Sequence, residues 1–279
     1  MSVAVFGIVL AAAFLHALWN AIVKGSTDRA LMLGLIALGH AVPGAVIMWQ
    51  VGLPNAASTP YVIASTVIHW GYYRLLHAAY RSADLSVVYP IARGIAPVLI
   101  ALGARAWIGE ALLPLTWVGI LTVSAGIMVL SLGVLRRTVP ANGVLAALAT
   151  GAMIASYSLV DGVGVRLSGD TFAYIGGLFV AEILVPLFLF PTRLARLRQL
   201  SGRVVVTGFV GGVISGTAYG LVLYAKTLAP LGVVSALRET SVIFAALIGV
   251  WWFAEGPRPV RLIAAFVVGC GILLIGASQ

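Results

Sequence analysis

Ten apolar stretches, each near the length needed to cross a bilayer, follow one another with only short polar turns between them. They fall at about 2–23, 30–51, 60–80, 85–108, 112–135, 142–167, 171–193, 204–228, 231–253 and 260–277. A spanning helix needs roughly 20 apolar residues, so ten spans consume most of the 279 residues and leave no room for a soluble domain. Only 9% of the side chains are charged and 61% are hydrophobic, whereas a water-solvated domain carries about 25% charged residues. In lipid, backbone groups must be paired inside the segment or within a closed barrel. Period-two alternation is absent, so the expected fold class is an all-α integral membrane protein with ten transmembrane helices.

Several function classes drop out at this level. No Gly-rich run ends in Gly-Lys-Ser/Thr, so no phosphate cradle for ATP hydrolysis is expected. The formal charge of +9 comes from cations scattered at segment ends, which is the pattern of membrane topology and not of nucleic-acid binding. The single cysteine, Cys270, permits no disulfide within the chain and reads as a small core residue. Four dispersed histidines show no ligand spacing, so no metal site, cofactor or catalytic residue is expected. At the N-terminus no Lys or Arg precedes the apolar run, which continues to Val23 before Lys24. That reads as a retained first helix, since a signal peptide has a basic leader.

The chain also reads as two related halves. Ala83-Asp84-Leu85-Ser86-Val87-Val88 enters the fourth stretch much as Ala229-Pro230-Leu231-Gly232-Val233-Val234 enters the ninth. Those stretches close with Gly109-Glu110 and Ala254-Glu255, each followed by a Pro-containing turn and a Gly-rich helix. Residues 1–137 and 138–279 then form two five-helix repeats, and an odd number of spans per copy inverts one relative to the other. Lys24, Arg29, Arg81, Arg136, Arg137, Arg193, Arg196, Arg198, Arg203, Arg258 and Arg261 fall on the linker side, against Arg105, Arg166 and Lys226 opposite. The positive-inside rule makes the linker cytoplasmic and both termini non-cytoplasmic, in a cell membrane, the inner one if the source is bacterial.

His16-Ala17-Leu18-Trp19-Asn20-Ala21-Ile22-Val23-Lys24, Pro90 and Pro97 before Gly109-Glu110, and the second copy Ala254-Glu255 together resemble the EamA-like branch of the drug/metabolite transporter superfamily. The resemblance spans essentially the whole chain. It implies a ten-helix permease of two inverted repeats that moves small metabolites without ATP, with export as the favoured direction. The second half departs from the pattern: Ala236 and Ser241 stand near where the first has prolines, and Tyr157 near where Trp19 suggests a Trp.

Ionisable groups inside spans are costly and therefore functional candidates. Aligning Ala83 with Ala229 sets Arg93 opposite Glu239, with Arg238 beside it. Equivalent positions of an inverted repeat meet near the midplane, where substrate sites lie. Pro90 and Pro97 flank Arg93 and free backbone carbonyls that a wet cavity can satisfy, which makes them gating candidates. A purely structural ion pair locking the halves is the alternative. Arg74, with Tyr73 and His77 on a shared helical stripe, can clamp a carboxylate or phosphate, or snorkel instead. His16 and Asn20 share a face beside Trp19, which could pack on an organic substrate or simply be core. Glu182, central in the seventh stretch, is the candidate proton carrier, with a neutral hydrogen-bonded role as alternative. Gly208, Gly212, Gly216 and Gly220 recur at every fourth residue and read as a packing seam, within or between monomers.

The expected activity is secondary transport by alternating access, coupled to protons or to exchange, of a small metabolite that is anionic or zwitterionic. The partners are that molecule and the lipid bilayer, with no nucleic acid, in a monomer or homodimer. A lipid-modifying membrane enzyme would need paired acids or a nucleophile on loops, and the short basic loops offer neither. A non-transporting partner subunit remains the other alternative.

Overall fold

The computed structural model describes residues 2–24, 28–82, 85–130, 141–251 and 258–278, with the side chains of residues 24, 29, 73–74, 76–82, 85–87 and 258 left out. Every regular element described is helical: α1 Val3–Lys24, α2 Arg29–Val51, α3 Thr59–Ser82, α4 Leu85–Ile108, α5 Pro114–Val129, α6 Ala141–Leu167, α7 Thr171–Ala181, α8 Leu184–Leu189, α9 Leu194–Leu197, α10 Gly202–Leu228, α11 Leu231–Arg238, α12 Ser241–Trp251 and α13 Arg258–Ala277. Among the described residues, eight helical stretches are long and apolar enough to cross a membrane. Two of these are broken helices, Thr171–Leu189 (α7 and α8) and Leu231–Trp251 (α11 and α12). The two stretches outside that set are α3, which carries His69, Arg74, His77 and Arg81, and α5, described over only 16 residues.

The distribution of side chains is that of a multi-pass membrane protein. Large apolar residues cover the outside, including Trp49, Val67, Leu187, Phe188, Trp251, Phe266 and Leu273. Charged residues, by contrast, lie buried within: Arg93, Asp161, Lys226, Arg238 and Glu239. Water would reverse that arrangement, because exposed apolar surface of this extent is unfavourable and a buried charge needs a partner.

Helices pack in a recurring set of pairs. α5 lies on α13, α3 and α4 on α6, α1 on α10 and α12, and α2 on both α7 and α10. The largest core cluster joins Val5, Val9 and Ala12 of α1, Ile120 and Ile127 of α5, Val233 and Leu237 of α11, and Val268 and Ile275 of α13. Small residues let these backbones touch, since lipid removes the hydrophobic drive between membrane helices and leaves close packing to hold them. A Cβ added to Gly212 would lie 2.7 Å from the Gly39 Cα and closer still to the Ile36 carbonyl oxygen of α2. One added to Gly208 would lie 2.6 Å from the Leu35 Cβ, and one on Gly216 3.2 Å from the His40 ring. Gly220 is looser, 3.8 Å from Ile175. Gly208, Gly212 and Gly216 thus lie on α2 within the chain, while Gly220 faces α7.

Two stretches read from the sequence as single helices are interrupted. The seventh breaks at Glu182-Ile183, where Glu182 N–H donates to the Phe179 carbonyl at 3.1 Å and Ile183 N–H to that of Val180 at 3.0 Å. Pro186 explains it: four residues on, its ring displaces the carbonyl of residue 182 and offers no N–H to it. The ninth breaks at Glu239-Thr240 without a proline. There the Thr240 hydroxyl donates to the Leu237 carbonyl at 2.5 Å and competes with the helical ladder. In the fourth stretch α4 runs unbroken through both Pro90 and Pro97, so the interruption falls in the copy that lacks the prolines.

At the start of α2, Asp28 accepts from the Leu31 N–H at 3.1 Å and lies 3.4 Å from Arg196 of α9. The backbone hydrogen bond from Leu31, more than the Arg196 charge, holds its carboxyl below the usual range. Its capping contribution is therefore complete above the ordinary carboxylate pKa and is lost as pH falls through the lower folded value.

Gly212→Val is expected to overpack the α2–α10 seam and cost about 1–3 kcal/mol. Gly7→Ala, where an added Cβ meets nothing within 4 Å, serves as the neutral control. Thermal unfolding followed by size-exclusion fluorescence checks both: a Gly212→Val midpoint equal to wild type would refute the seam.

Candidate functional site

The break between α11 and α12 presents Glu239 to α4. Arg93 Nε donates to Glu239 Oε2 at 3.1 Å, and Arg93 Nη2 lies 2.9 Å from the same oxygen. The other carboxylate oxygen, Oε1, lies 3.6 Å from Arg238 Nη2. Residues separated by 146 positions thus form one ionic centre. Its members are closed off from solvent, with Arg93 6%, Arg238 5% and Glu239 1% exposed. Tyr89, one turn before Arg93, sets its ring 5.9 Å from the guanidinium carbon, a cation–π distance. Two guanidiniums face one carboxylate, so the centre carries a net charge of +1. The buried Nε of Arg238 has no hydrogen-bond partner, which leaves a donor and a positive charge available to an anion.

A second polar centre lies on α6. Asp161 is fully buried; its Oδ1 accepts from the Tyr174 hydroxyl of α7 at 2.9 Å, and its Oδ2 from the Tyr219 hydroxyl of α10. Lys226 of α10 is 1% exposed and donates from Nζ to the Ser158 carbonyl at 2.8 Å. Aromatic rings connect the two centres. His69 stacks on Tyr157 at 4.1 Å between centroids, Tyr72 meets Tyr157 edge-on at 6.0 Å, and Tyr157 meets Tyr219 at 6.5 Å.

A third group ties the ends of several helices together. Gly109 adopts φ 69° after α4, a left-handed cap that glycine takes without a Cβ penalty. It turns the chain so that the Glu110 N–H donates to the Ala104 carbonyl at 3.2 Å. The Glu110 carboxylate then pairs with Arg166 at 2.8 Å through Oε1 and accepts from the Leu231 N–H at 2.7 Å through Oε2. Arg166 donates onward to the carbonyls of Lys226 at 2.8 Å and Ala229 at 2.9 Å. Asn55 adds a bond to the Leu167 carbonyl at 3.0 Å. This clasp joins the ends of α4, α6 and α10 to the start of α11.

The remaining residues singled out in the sequence divide as follows. The His16 carbonyl accepts from Asn20 Nδ2 at 2.7 Å, and its ring from Trp19 Nε1 at 3.2 Å. That face of α1 is therefore internally bonded, and the Trp19 indole is half-buried. Glu182 lies apart from the ionic centre, at the α7–α8 break, in a narrow cleft with Thr66, His69 and Trp70. The side chains of Tyr73, Arg74 and His77 lie outside those described. Lys226, counted in the sequence as a segment-end charge, points into the interior instead, because Ser158 supplies an acceptor there. The sequence assigns no role to Tyr157, Tyr174, Tyr219 or His69, and ranks Asp161 below Glu182 because it sits nearer a helix end. Asp161 and Lys226 carry a usable signal, as ionisable residues in predicted spans; the tyrosines carry none.

The family model for the EamA-like transporter family matches residues 141–277. The second half of the chain is thus similar in sequence to the EamA-like transporter unit. A solved crystal structure of a protein, 18% identical, superposes with a TM-score of 0.77 and covers 98% of this chain and 96% of that one. At that identity the likeness concerns the fold. No curated protein matches the chain at a significant level.

Removing one partner of a buried ion pair leaves the other uncompensated, at about 3–5 kcal/mol. Glu239→Met is expected to destabilise the protein by that order, and adding Arg93→Met to recover part of the loss, since Arg238 stays without its carboxylate. A double-mutant cycle on thermal midpoints checks this, and additive losses would dissociate the two residues.

Proposed function

We propose that the chain is a secondary transporter of small anionic or zwitterionic organic metabolites, working by alternating access of two inverted five-helix halves, 1–137 and 138–279. The observation that carries the reading is the net-positive centre of Arg93, Arg238 and Glu239, buried between the fourth and ninth stretches. A charged centre in lipid is costly, and in a transporter the cost is offset by what the centre does to its substrate. A carboxylate or phosphate approaching Arg238 and Arg93 competes with Glu239, so substrate binding loosens the contact between the halves. The occluded geometry is one state of such a cycle.

Packing supports the inverted halves. Counting ten stretches in chain order, most of the principal contacts have a counterpart five stretches away. α3 on α6 corresponds to α10 on α1, α4 on α6 to α12 on α1, and α3 on α7 to α10 on α2. The pairs α5 with α13, α2 with α7, and α4 with α11 map onto themselves. A twofold axis in the membrane plane gives such a pattern. The Glu110–Arg166 clasp then closes the non-cytoplasmic mouth, since Arg105, Arg166 and the ends of α4, α6 and α10 share that side under the positive-inside assignment. Both termini face the same side, and export is the direction the family resemblance favours.

A partner-subunit reading draws on the same occlusion, and transport assays separate the two. Purified protein is first screened by thermal shift against a metabolite panel, because a ligand that binds the folded state raises its apparent stability. Hits are assayed for uptake into proteoliposomes with and without an imposed pH gradient. Saturable uptake of a carboxylate- or phosphate-bearing hit is expected, with the gradient raising the rate several-fold; gradient-independent counterflow would leave exchange as the coupling. Arg93→Met combined with Glu239→Met is expected to fold yet lose at least about tenfold in flux, the loss of one charge-assisted contact. Wild-type flux in that variant would place the substrate elsewhere, and no flux of any hit would favour the subunit.

A further inference from the structure

The substrate centre leaves unused the most deeply buried acid described, Asp161, and its surroundings are built to answer to its charge. Both of its oxygens are committed to other helices, Oδ1 to the Tyr174 hydroxyl of α7 at 2.9 Å and Oδ2 to the Tyr219 hydroxyl of α10. One turn earlier on α6, the Ser158 carbonyl holds the Lys226 ammonium at 2.8 Å, and the buried Ser158 hydroxyl has no partner. A carboxylate only accepts hydrogen bonds, whereas a carboxylic acid must also donate one. A proton on Asp161 therefore adds a donor between two tyrosine hydroxyls that both already donate to it, and the acid must either reverse one of those bonds or find another acceptor. The empty-handed Ser158 hydroxyl and the Lys226 amine mark a polar interior in which such rearrangement is possible.

Tyr219 gives the change a route outward. Its ring packs against three of the core clusters and sits 6.5 Å from both Tyr157 and His69. The titratable and charged groups facing Asp161 are Tyr157 on its own helix, Tyr174 on α7, and Tyr219 and Lys226 on α10, with His69 of α3 behind the Tyr157 and Tyr219 rings. Beyond them lie Arg166 at the end of α6, Arg238 and Glu239 at the α11–α12 break, and Glu182 at the α7–α8 break. Glu182 lines its narrow cleft with residues of α3, α7 and α8, whereas Asp161 ties α6, α7 and α10 directly.

We propose that Asp161, bonded to Tyr174 and Tyr219 and neighboured by Lys226, is a proton-binding site whose loading and unloading loosens and restores the α6–α7–α10 contact. Loading forms one O–H bond on a carboxylate oxygen, with the proton taken from solvent; unloading breaks that bond and returns the proton, and no other covalent bond changes. The use of this step to drive substrate rests on the transport reading; the proton site itself does not.

The test uses the full chain in lipid nanodiscs with the proton as probe, followed by infrared difference spectroscopy across a pH titration. Acidification is expected to raise one carboxylic-acid C=O band together with a tyrosine ring band. Both should vanish in Asp161→Asn and persist in Glu182→Gln. Tyr219→Phe is expected to raise the midpoint by about one pH unit or more, because the carboxylate loses a hydrogen-bond donor that favours its charged form. A band that survives in Asp161→Asn, or disappears in Glu182→Gln, overturns the assignment. If Asp161→Asn does not fold, Tyr219→Phe and Lys226→Met carry the test, and a midpoint unmoved in both overturns it. An intact Asp161 band in a protein that transports none of the panel would sink the transport reading and leave the proton site standing. Gradient-driven flux that persists in Asp161→Asn would leave the transport reading standing and overturn the use of Asp161 to drive it.

Discussion

A charge placed in hydrocarbon must find a partner, and this requirement organises the protein. Arg93 on α4 has its counter-charge 146 residues away, on the break between α11 and α12. The two elements cannot separate without exposing a guanidinium or a carboxylate to an environment that does not solvate it. The same need places Asp161 among tyrosine hydroxyls, Lys226 against a helix carbonyl, and Glu110 between Arg166 and the first backbone N–H of α11. Each polar group is met by one from a different helix, so the polar set doubles as the pattern of helix assembly.

Around that set, close packing supplies the cohesion that water would otherwise provide. Gly212 against Gly39 and Gly44 near Gly176 bring α10 and α7 onto α2, while Gly119 and Gly271 seat α5 on α13. At these glycines the contacts are backbone against backbone, with no charged side chain between the helices. The centres at Glu239 and Asp161 have polar groups to rearrange, and Glu239 lies at a helix break, where backbone hydrogen bonds are already shortened to i−3 partners. Rigid seams beside adaptable breaks are the mechanical combination an alternating-access protein needs.

Some of the centre was legible from residues alone. Arg93 and Glu239 stood out because ionisable residues inside apolar stretches are rare, and the weak internal similarity set them opposite each other. Gly208, Gly212 and Gly216 were readable as a seam from their spacing, although spacing did not say that α2 was the partner. Pro90 and Pro97 mark the fourth stretch as a candidate gate; α4 stays helical through both, and it is the ninth stretch that breaks, at Thr240. Proline reports only which local bonds are missing. Whether a helix bends there depends on what the neighbouring helices hold in place.

From the sequence by itself came the solvent and the class of fold: apolar stretches near bilayer length, separated by short turns, admit little but a helical bundle in a membrane. The candidate charges followed from the same reasoning, since their cost in lipid is a property of residue type and position along the chain. Only the tertiary structure decided which hydroxyls and carbonyls surround them. Lys226 turned from a segment-end cation into a buried donor, and Asp161 from a minor acid into the node of three helices, because hydrogen-bond partners on other helices become neighbours only when the bundle closes.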